Sequence, residues 1–132
     1  MTEKNLPHDH GEELHELEHL QAQLGETDSF DRVTSVFRQL GDSTRIRLFW
    51  LLCHCEECVI NISAMLEMSS PAVSHHLRLL KDSGLIESRR VGKEVYYKAA
   101  DSRESHMLHE MIEGMMEIVC PDVRLREVKD KR

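Results

Sequence analysis

Hydrophobic residues recur at every third or fourth position through much of the chain, and this period predicts helices. In the stretch 70–84 the apolar stripe consists of Val73, Leu77 and Leu80. We expect Ser70 to cap this helix, Pro71 to open it and Gly84 to end it. The opposite face is polar and cationic, with Ser74, His75 and Arg78. Such a helix suits the major groove of DNA, where small side chains allow close approach and donors contact phosphates and base edges.

The segments on either side of this helix complete a recognisable arrangement. A shorter helical run at 61–66, capped by Asn61, precedes it across a tight link, and two β-rich runs at 85–90 and 94–98 follow it. This order predicts a mainly α-helical winged helix-turn-helix with a small β-hairpin wing. We expect base contacts from Ser74, His75 and Arg78. Phosphate contacts are expected from Ser69, Ser70, Arg89, Arg90 and Lys93.

Four further helices are predicted, at 11–24, 29–40, 42–53 and 101–119. The third is expected to face inward with Ile46, Phe49, Trp50 and Cys53. The last has an apolar stripe of Leu108, Met111, Ile112, Met115 and Val119, and a capping box from Asp101 to Glu104. A winged helix of this size leaves the 29–40 and 108–119 helices with little of their own chain to pack against. Part of the core is therefore expected to be intermolecular.

Three stretches carry a closer resemblance: NISAMLEMSSPAVSHHLRLLKDSGLI at 61–86, RRVGKEVYY at 89–97 and LGDSTRIRLF at 40–49. They closely resemble the ArsR/SmtB family of metal-sensing winged-helix repressors, over roughly residues 30–120. The resemblance implies a homodimer formed by the N- and C-terminal helices. It also implies two reading heads that bind a palindromic operator in double-stranded DNA.

Composition sets the boundaries and accounts for the acidic balance. The chain has 132 residues and a formal net charge of −7, yet residues 1–28 hold eight acidic side chains and one lysine. Residues 69–98 hold six basic and three acidic side chains, so the acidity does not argue against DNA binding. We expect an acidic, His-rich extension at 1–28, the DNA-binding and dimerisation domain at 29–120 and a charged tail at 121–132. Without an apolar run or signal segment, a cytoplasmic protein with no membrane contact is expected.

The segment 53–58 carries three cysteines, Cys53, Cys55 and Cys58. Thiolates at this spacing suit zinc, cadmium or arsenite, and cytosolic cysteines are more often thiols or ligands than disulfides. Cys53 also continues the apolar stripe of its helix, so it is equally well explained as a buried small hydrophobe. In the family, a Cys-x-Cys motif stands before the helix-turn-helix; Cys58 takes its first place and Ile60 replaces the second. Cys120, at the end of the last helix, is either a fourth ligand or a bystander.

Histidines offer weaker metal candidates. Other members of the family bind zinc on the last helix through Asp-x-His and a partner's His-x-x-Glu or His-x-x-His, but here Arg103, Gly114 and Glu117 occupy the key places. A shifted version would use His106, His109 and Glu113, although solvated surface histidines explain the same residues. In the N-terminal segment the candidates are His8, His10, His15 and His19.

His15 and His19 also complete the zinc-protease motif His-Glu-x-x-His. We do not expect an enzyme, because the motif lies in a short acidic segment without a surrounding domain. A ligand arm that closes over the Cys55 and Cys58 region is one alternative, and adventitious metal affinity is the other. The sequence therefore predicts a metal- or metalloid-responsive repressor that is released from its operator by zinc or cadmium, without a small organic substrate. The alternative is a thiol-based redox or sulfur-responsive repressor of the same fold.

Overall fold

Six helices and three short strands make up the computed structural model, which describes residues 6–11 and 13–119. The contacts of the chain divide it into two units, residues 1–37 and 38–132. The expected domain boundaries at 28 and 120 remain predictions.

The first unit is formed by helices with no buried side chain. Helix α1 spans Leu14–Leu24 and ends at Gly25, and α2 spans Thr27–Gln39, so its last residues belong to the second unit. Phe30, Val33 and Phe37 of α2 are about half exposed.

The second unit is a winged helix-turn-helix. Its elements are α3 (Ser43–His54), β1 (Glu57–Cys58), α4 (Val59–Leu66), α5 (Ser70–Asp82), β2 (Ile86–Val91), β3 (Glu94–Ala99) and α6 (Arg103–Val119). The sheet is antiparallel in the order β1-β3-β2, and Gly92 forms the turn of the wing with φ +64°. Fully buried side chains from α3, α4 and α5 build the core, among them Leu48, Phe49, Ile62, Val73, Leu77 and Leu80. The predicted fold class is confirmed.

The helix-turn-helix begins differently from the prediction. Ser69, not Ser70, is the N-cap of α5, and its hydroxyl accepts the Ala72 amide at 3.2 Å. Asn61 does not cap α4, because that helix begins at Val59 directly after strand β1. The side-chain amide of Asn61 instead donates to the Glu57 carboxylate at 2.7 Å. The prediction missed β1, whose two residues pair with Tyr96 and Tyr97 of β3.

In α3 and α6 the buried residues differ from those that the sequence predicts. In α3 the buried residues are Leu48, Phe49 and Leu52, whereas Trp50 and Cys53 are partly exposed. In α6 the predicted capping box is wrong, because the Ser102 hydroxyl accepts the Ser105 amide at 3.1 Å. Leu108 is buried in α6, but Met115 and Val119 are 59% and 74% exposed. Cys120 and the charged tail lie outside the described residues.

Candidate functional site

The outward face of α5 consists of exposed polar side chains. Ser74, His75 and Arg78 all reach solvent, and the Arg78 guanidinium lies 3.2 Å from His75 Nδ1. Val73, Leu77 and Leu80 hold the other face of α5 in the core at 0% exposure. The helix therefore has one outward orientation, and its exposed side carries donors that suit base edges and phosphates.

The start of α5 is fixed by two serines that the sequence assigns to phosphate contacts. Both are exposed, but the Ser69 hydroxyl caps the helix and the Ser70 hydroxyl lies 3.2 Å from that of Ser63. Either oxygen retains hydrogen-bonding capacity, since a hydroxyl offers one donor and two acceptor sites.

The wing presents Arg89, Arg90 and Lys93, all exposed. The Arg90 guanidinium donates to the Gly92 carbonyl at 3.3 Å, and Lys81 of α5 donates to Ser88 at 2.8 Å, which ties the wing to the helix. Arg89 is engaged elsewhere: it forms a bidentate pair with Glu56, at 2.6 and 2.9 Å. The hydrogen bond from Arg89 lowers the pKa of the Glu56 carboxyl. Arg89 must therefore release this carboxylate before the same two donor groups can bind a phosphate.

A second polar contact joins α5 to α3. The Arg45 guanidinium lies 3.1 Å from His76 Nδ1, and the Asp42 carboxylate lies 3.9 Å from the same nitrogen. Burial lowers the pKa of His76, and the cation of Arg45 adds to this effect while Asp42 opposes it. The ring is therefore held neutral, with Nδ1 free to accept from Arg45.

The three described cysteines are free thiols in different surroundings. Cys53 is partly buried in α3, and burial together with the nearby Glu113 carboxylate raises its thiol pKa to about 12. The Cys55 thiol donates to the Leu51 carbonyl at 3.5 Å, and burial followed by the charge of Glu57 raises its pKa. Cys58, the last residue of β1 and the N-cap of α4, is buried at 8% exposure.

Cys53 and Cys55 line a pocket of about 310 Å³ between the end of α3 and the start of α6. The pocket also has His54, His106 and His109 in its wall, whereas Cys58 is absent from its described lining. The structure thus brings Cys53 and Cys55, rather than Cys58, to the same cavity as the histidines.

Within residues 6–11 and 13–119, the side chains that bring three ligand atoms together are His54, His109 and Glu113, with all three atoms within 4.8 Å of one another. The two imidazole Nε2 atoms are 3.1 Å apart. Glu113 Oε2 lies 3.3 Å from Nε2 of His54 and 3.2 Å from Nε2 of His109. Trp50 donates its indole N–H to the same Glu113 oxygen at 2.8 Å.

Sequence reasoning grouped Glu113 with His106 and His109 and overlooked His54. His106 instead contacts Asp101 at 3.1 Å, with both side chains well exposed. His54 occupies the last turn of α3, where its ring contacts that of His109 on α6, with centroids 4.9 Å apart. The available signal was its position next to the candidate cysteines.

The N-terminal histidines belong to the first unit. The rings of His8 and His10 stack with centroids 5.7 Å apart, and His15 and His19 are exposed on α1. Among the described residues, neither these histidines nor the cysteines take part in a group of three converging ligand atoms.

Comparison with known proteins identifies the family. Residues 42–88 match the bacterial regulatory protein, arsR family. A transcriptional repressor SmtB homolog from Synechocystis is 33% identical over 104 residues, which covers 79% of each chain. The chain belongs to the ArsR family. Two further ArsR-family relatives are an arsenic resistance regulator, ArsR1 of Pseudomonas putida, and a cadmium resistance regulatory protein CadC homolog of Staphylococcus aureus. They are 34% and 38% identical and cover 73% and 58% of this chain, and 79% and 64% of their own.

Solved structures agree with this assignment. Reduced HlyU from Vibrio cholerae is 28% identical with a TM-score of 0.62, covering 74% of this chain and 98% of its own. A homodimeric winged helix-turn-helix DNA-binding domain from Mycobacterium bovis is 27% identical with a TM-score of 0.63, covering 70% and 84%. ArsR-family proteins are DNA-binding transcriptional regulators and not enzymes. In the described residues no helix is both long and apolar enough to cross a membrane.

Proposed function

We propose that the protein is a homodimeric repressor that binds operator DNA and is released when a transition metal binds. The observation that carries the DNA-binding part is the exposed polar face of α5, held outward by three fully buried leucine and valine side chains. Relatives named as an SmtB repressor and as cadmium and arsenic resistance regulators support a metal signal. The homodimeric Mycobacterium bovis domain supports a dimer.

Ser74, His75 and Arg78 are proposed to contact base edges. Ser69, Ser70, Arg90 and Lys93 are proposed to contact phosphates, and Arg89 does so after leaving Glu56. Base contacts determine sequence preference, and phosphate contacts determine register and the dependence on salt.

The test removes two basic side chains, Arg78 and Lys93, one at a time. Binding is measured on one operator sequence, which is first selected from random DNA with the parent protein. Arg78→Ala should cost about 1–3 kcal/mol in operator binding and relax sequence preference, because it removes a base contact. Lys93→Ala should weaken all sequences alike and reduce the salt slope by about one. Unchanged operator affinity in Arg78→Ala would show that this face of α5 does not contact the bases.

For the metal, the sequence favours Cys55 and Cys58, with Cys53 and Cys120 as further thiolates. Zinc or cadmium suits such ligands, and arsenite is a further candidate. The position of the thiols supports a regulatory role, since they flank Glu56, which pairs with Arg89 of the wing. The raised pKa values of the Cys53 and Cys55 thiols argue against these two residues as ligands, because a thiol must lose its proton to bind a metal.

The Cys55→Ser/Cys58→Ser variant tests the thiol site. If these residues sense metal, the variant should lose cadmium-driven release from the operator and at least one bound ion. Unchanged stoichiometry and release would turn attention to the histidines, including the proposed N-terminal arm.

A thiol-based redox or sulfur-responsive repressor is the second candidate, because Cys53, Cys55 and Cys58 are all free. The thiolate is the reactive form, so the raised pKa of Cys53 and Cys55 disfavours this role. Operator release by peroxide in the presence of a chelator would support it, and release by metal alone would support the metal signal.

A further inference from the structure

We propose that His54, His109 and Glu113 form a binding site for a divalent ion of the zinc class within a single protomer. His54 comes from the last turn of α3, and His109 and Glu113 are one turn apart on α6. The site requires no ligand from a partner chain and no cysteine. Its regulatory consequence, described below, rests on the proposed function, whereas metal binding itself does not.

The distances fit a tetrahedral ion. Ligand atoms in a tetrahedral complex are separated by about 1.6 times the metal–ligand bond, so zinc bonds of about 2.0–2.1 Å place them about 3.3–3.4 Å apart. The three separations here are 3.1, 3.2 and 3.3 Å. Each differs from the ideal edge by no more than a few tenths of an ångström, so the side chains need little rearrangement.

Hydrogen bonding between neutral imidazoles does not account for the same geometry. Each neutral imidazole has one N–H, and the carboxylate oxygen accepts but does not donate. If both Nε2–H groups point to Glu113, the 3.1 Å contact between His54 and His109 contains no directed proton. If one points to the other ring, a lone pair faces the carboxylate. An ion between the three atoms satisfies all of them at once.

Trp50 supports the site from outside. Its indole N–H holds the Glu113 oxygen at 2.8 Å, and its ring lies 4.5 Å from the His54 ring between centroids. A donor that fixes a ligating carboxylate in this way is typical of metal sites. The side chains remain reachable from solvent, with 40%, 27% and 18% exposure for His54, His109 and Glu113.

The ligand set indicates the class of ion. Two imidazoles and one carboxylate suit zinc, and by the same donors cobalt or nickel, rather than thiophilic arsenite. Three protein ligands leave a fourth position for water. The nearby Cys53 is outside the converging group of described ligand atoms, so no thiolate bond is included.

Metal at this site would fix α6 against α3. The start of α6 is already tied to the end of the helix-turn-helix, because the Ser105 hydroxyl and the Ala100 amide both donate to the Leu85 carbonyl. A metal bound to His109 and Glu113 would add a second link, between α6 and α3. This link restricts the orientation of α6 relative to the helix-turn-helix that contains α5. If α6 contributes to the dimer, this restriction changes the spacing of the two heads.

The experiment titrates zinc and cobalt(II) into the purified full-length protein without DNA. Trp50 is the only tryptophan in the chain, so its fluorescence reports this site. We expect saturable binding with one ion per protomer in the fluorescence signal. In Cys55→Ser/Cys58→Ser, which removes the candidate thiolate ligands, cobalt(II) should still give the visible bands of tetrahedral coordination without a thiolate charge-transfer band.

Three variants remove the ligands singly: His54→Gln, His109→Gln and Glu113→Gln. Each should weaken the fluorescence-detected affinity by at least about tenfold, the lower end of what even an outer partner costs. Glu113→Gln keeps an acceptor for Trp50, so it tests the charge without removing that hydrogen bond. His106→Gln, on the same helix but outside the cluster, is the matched control and should bind as the parent does.

The outcomes separate this inference from the proposed function. Parent-like affinity in folded Glu113→Gln and His109→Gln would overturn the site, as would the loss of all fluorescence-detected binding in Cys55→Ser/Cys58→Ser. Loss of binding in these variants establishes it, whatever happens on DNA. If metal then fails to release the operator from the parent protein, the metal-released repressor is wrong and the site stands.

Discussion

Arg89 contacts the Glu56 carboxylate in the structure, and a phosphate of bound DNA would compete with this carboxylate for the same guanidinium. The Arg89 side chain is 62% exposed and that of Glu56 is 27% exposed, so solvent and salt screen the pair and limit its strength. Glu56→Gln should therefore raise affinity for all DNA sequences and steepen the salt dependence, since one more cation becomes available. The measurement is binding against salt concentration. An Arg89→Ala background should abolish the gain, and a gain that persists there would exclude Arg89 as its source.

His76 makes stability depend on pH. Because burial lowers its pKa in the folded protein, the unfolded chain takes up a proton here first as the pH falls below about 6.5. The stability that the neutral ring provides is complete above that pH and is lost as the pH falls through the lowered folded pKa. His76→Gln retains an acceptor for Arg45 and should lose less unfolding free energy between about pH 7 and about pH 5. An identical loss in both proteins would show that His76 does not cause the pH dependence.

Single residues also show where sequence reasoning stops. Ser74, His75 and Arg78 were correctly placed on an exposed face, because helical period alone determines which side chains oppose Val73 and Leu77. His54 was missed because its contacts, His109 and Glu113, lie 55 and 59 positions away. A site assembled from one residue on one helix and two on another leaves no local spacing to detect.

Element boundaries follow the same logic. The helices of the head were predicted by their apolar period, but β1 has two residues and exists because β3 offers an edge to pair with. Its pairing moves the start of α4 to Val59, ahead of the expected cap at Asn61. The start of α5 was displaced by one residue because Ser69 and Ser70 are both good caps, and local sequence does not distinguish them.

Ser69 and Ser74 give a matched pair at the level of the helix. Ser69→Ala removes the N-cap of α5 and should lower the free energy of unfolding by about 0.5–2 kcal/mol. Ser74→Ala lies inside the same helix, where alanine is the better helix former, and should not destabilise it. Operator binding should instead fall in Ser74→Ala. Denaturant unfolding and DNA titration of both variants provide the check. Equal free energies of unfolding in the two variants would show that the Ser69 cap does not stabilise the protein.

At the scale of the whole molecule, the apolar surface is unevenly distributed. On α6, Met107, Met115, Ile118 and Val119 are each more than half exposed, and α2 exposes Val33 and Phe37. Side chains of this kind favour burial in a larger interface, worth about 25 cal/mol per Å² of apolar area. The proposed dimer provides such an interface without requiring any change in the DNA-binding head.

Met115→Glu tests whether α6 belongs to the dimer. Placing a carboxylate in an apolar interface is costly, so the dimer should dissociate at least about tenfold more readily. Met65 on α4 is the matched control, because its exposure of 56% is close to the 59% of Met115. Sedimentation of Met115→Glu and Met65→Glu over a range of concentrations measures the effect without DNA. Should both variants dimerise like the parent, α6 lies outside the interface, and a metal tie between α3 and α6 would then have to act on α5 within one protomer through the Leu85 carbonyl.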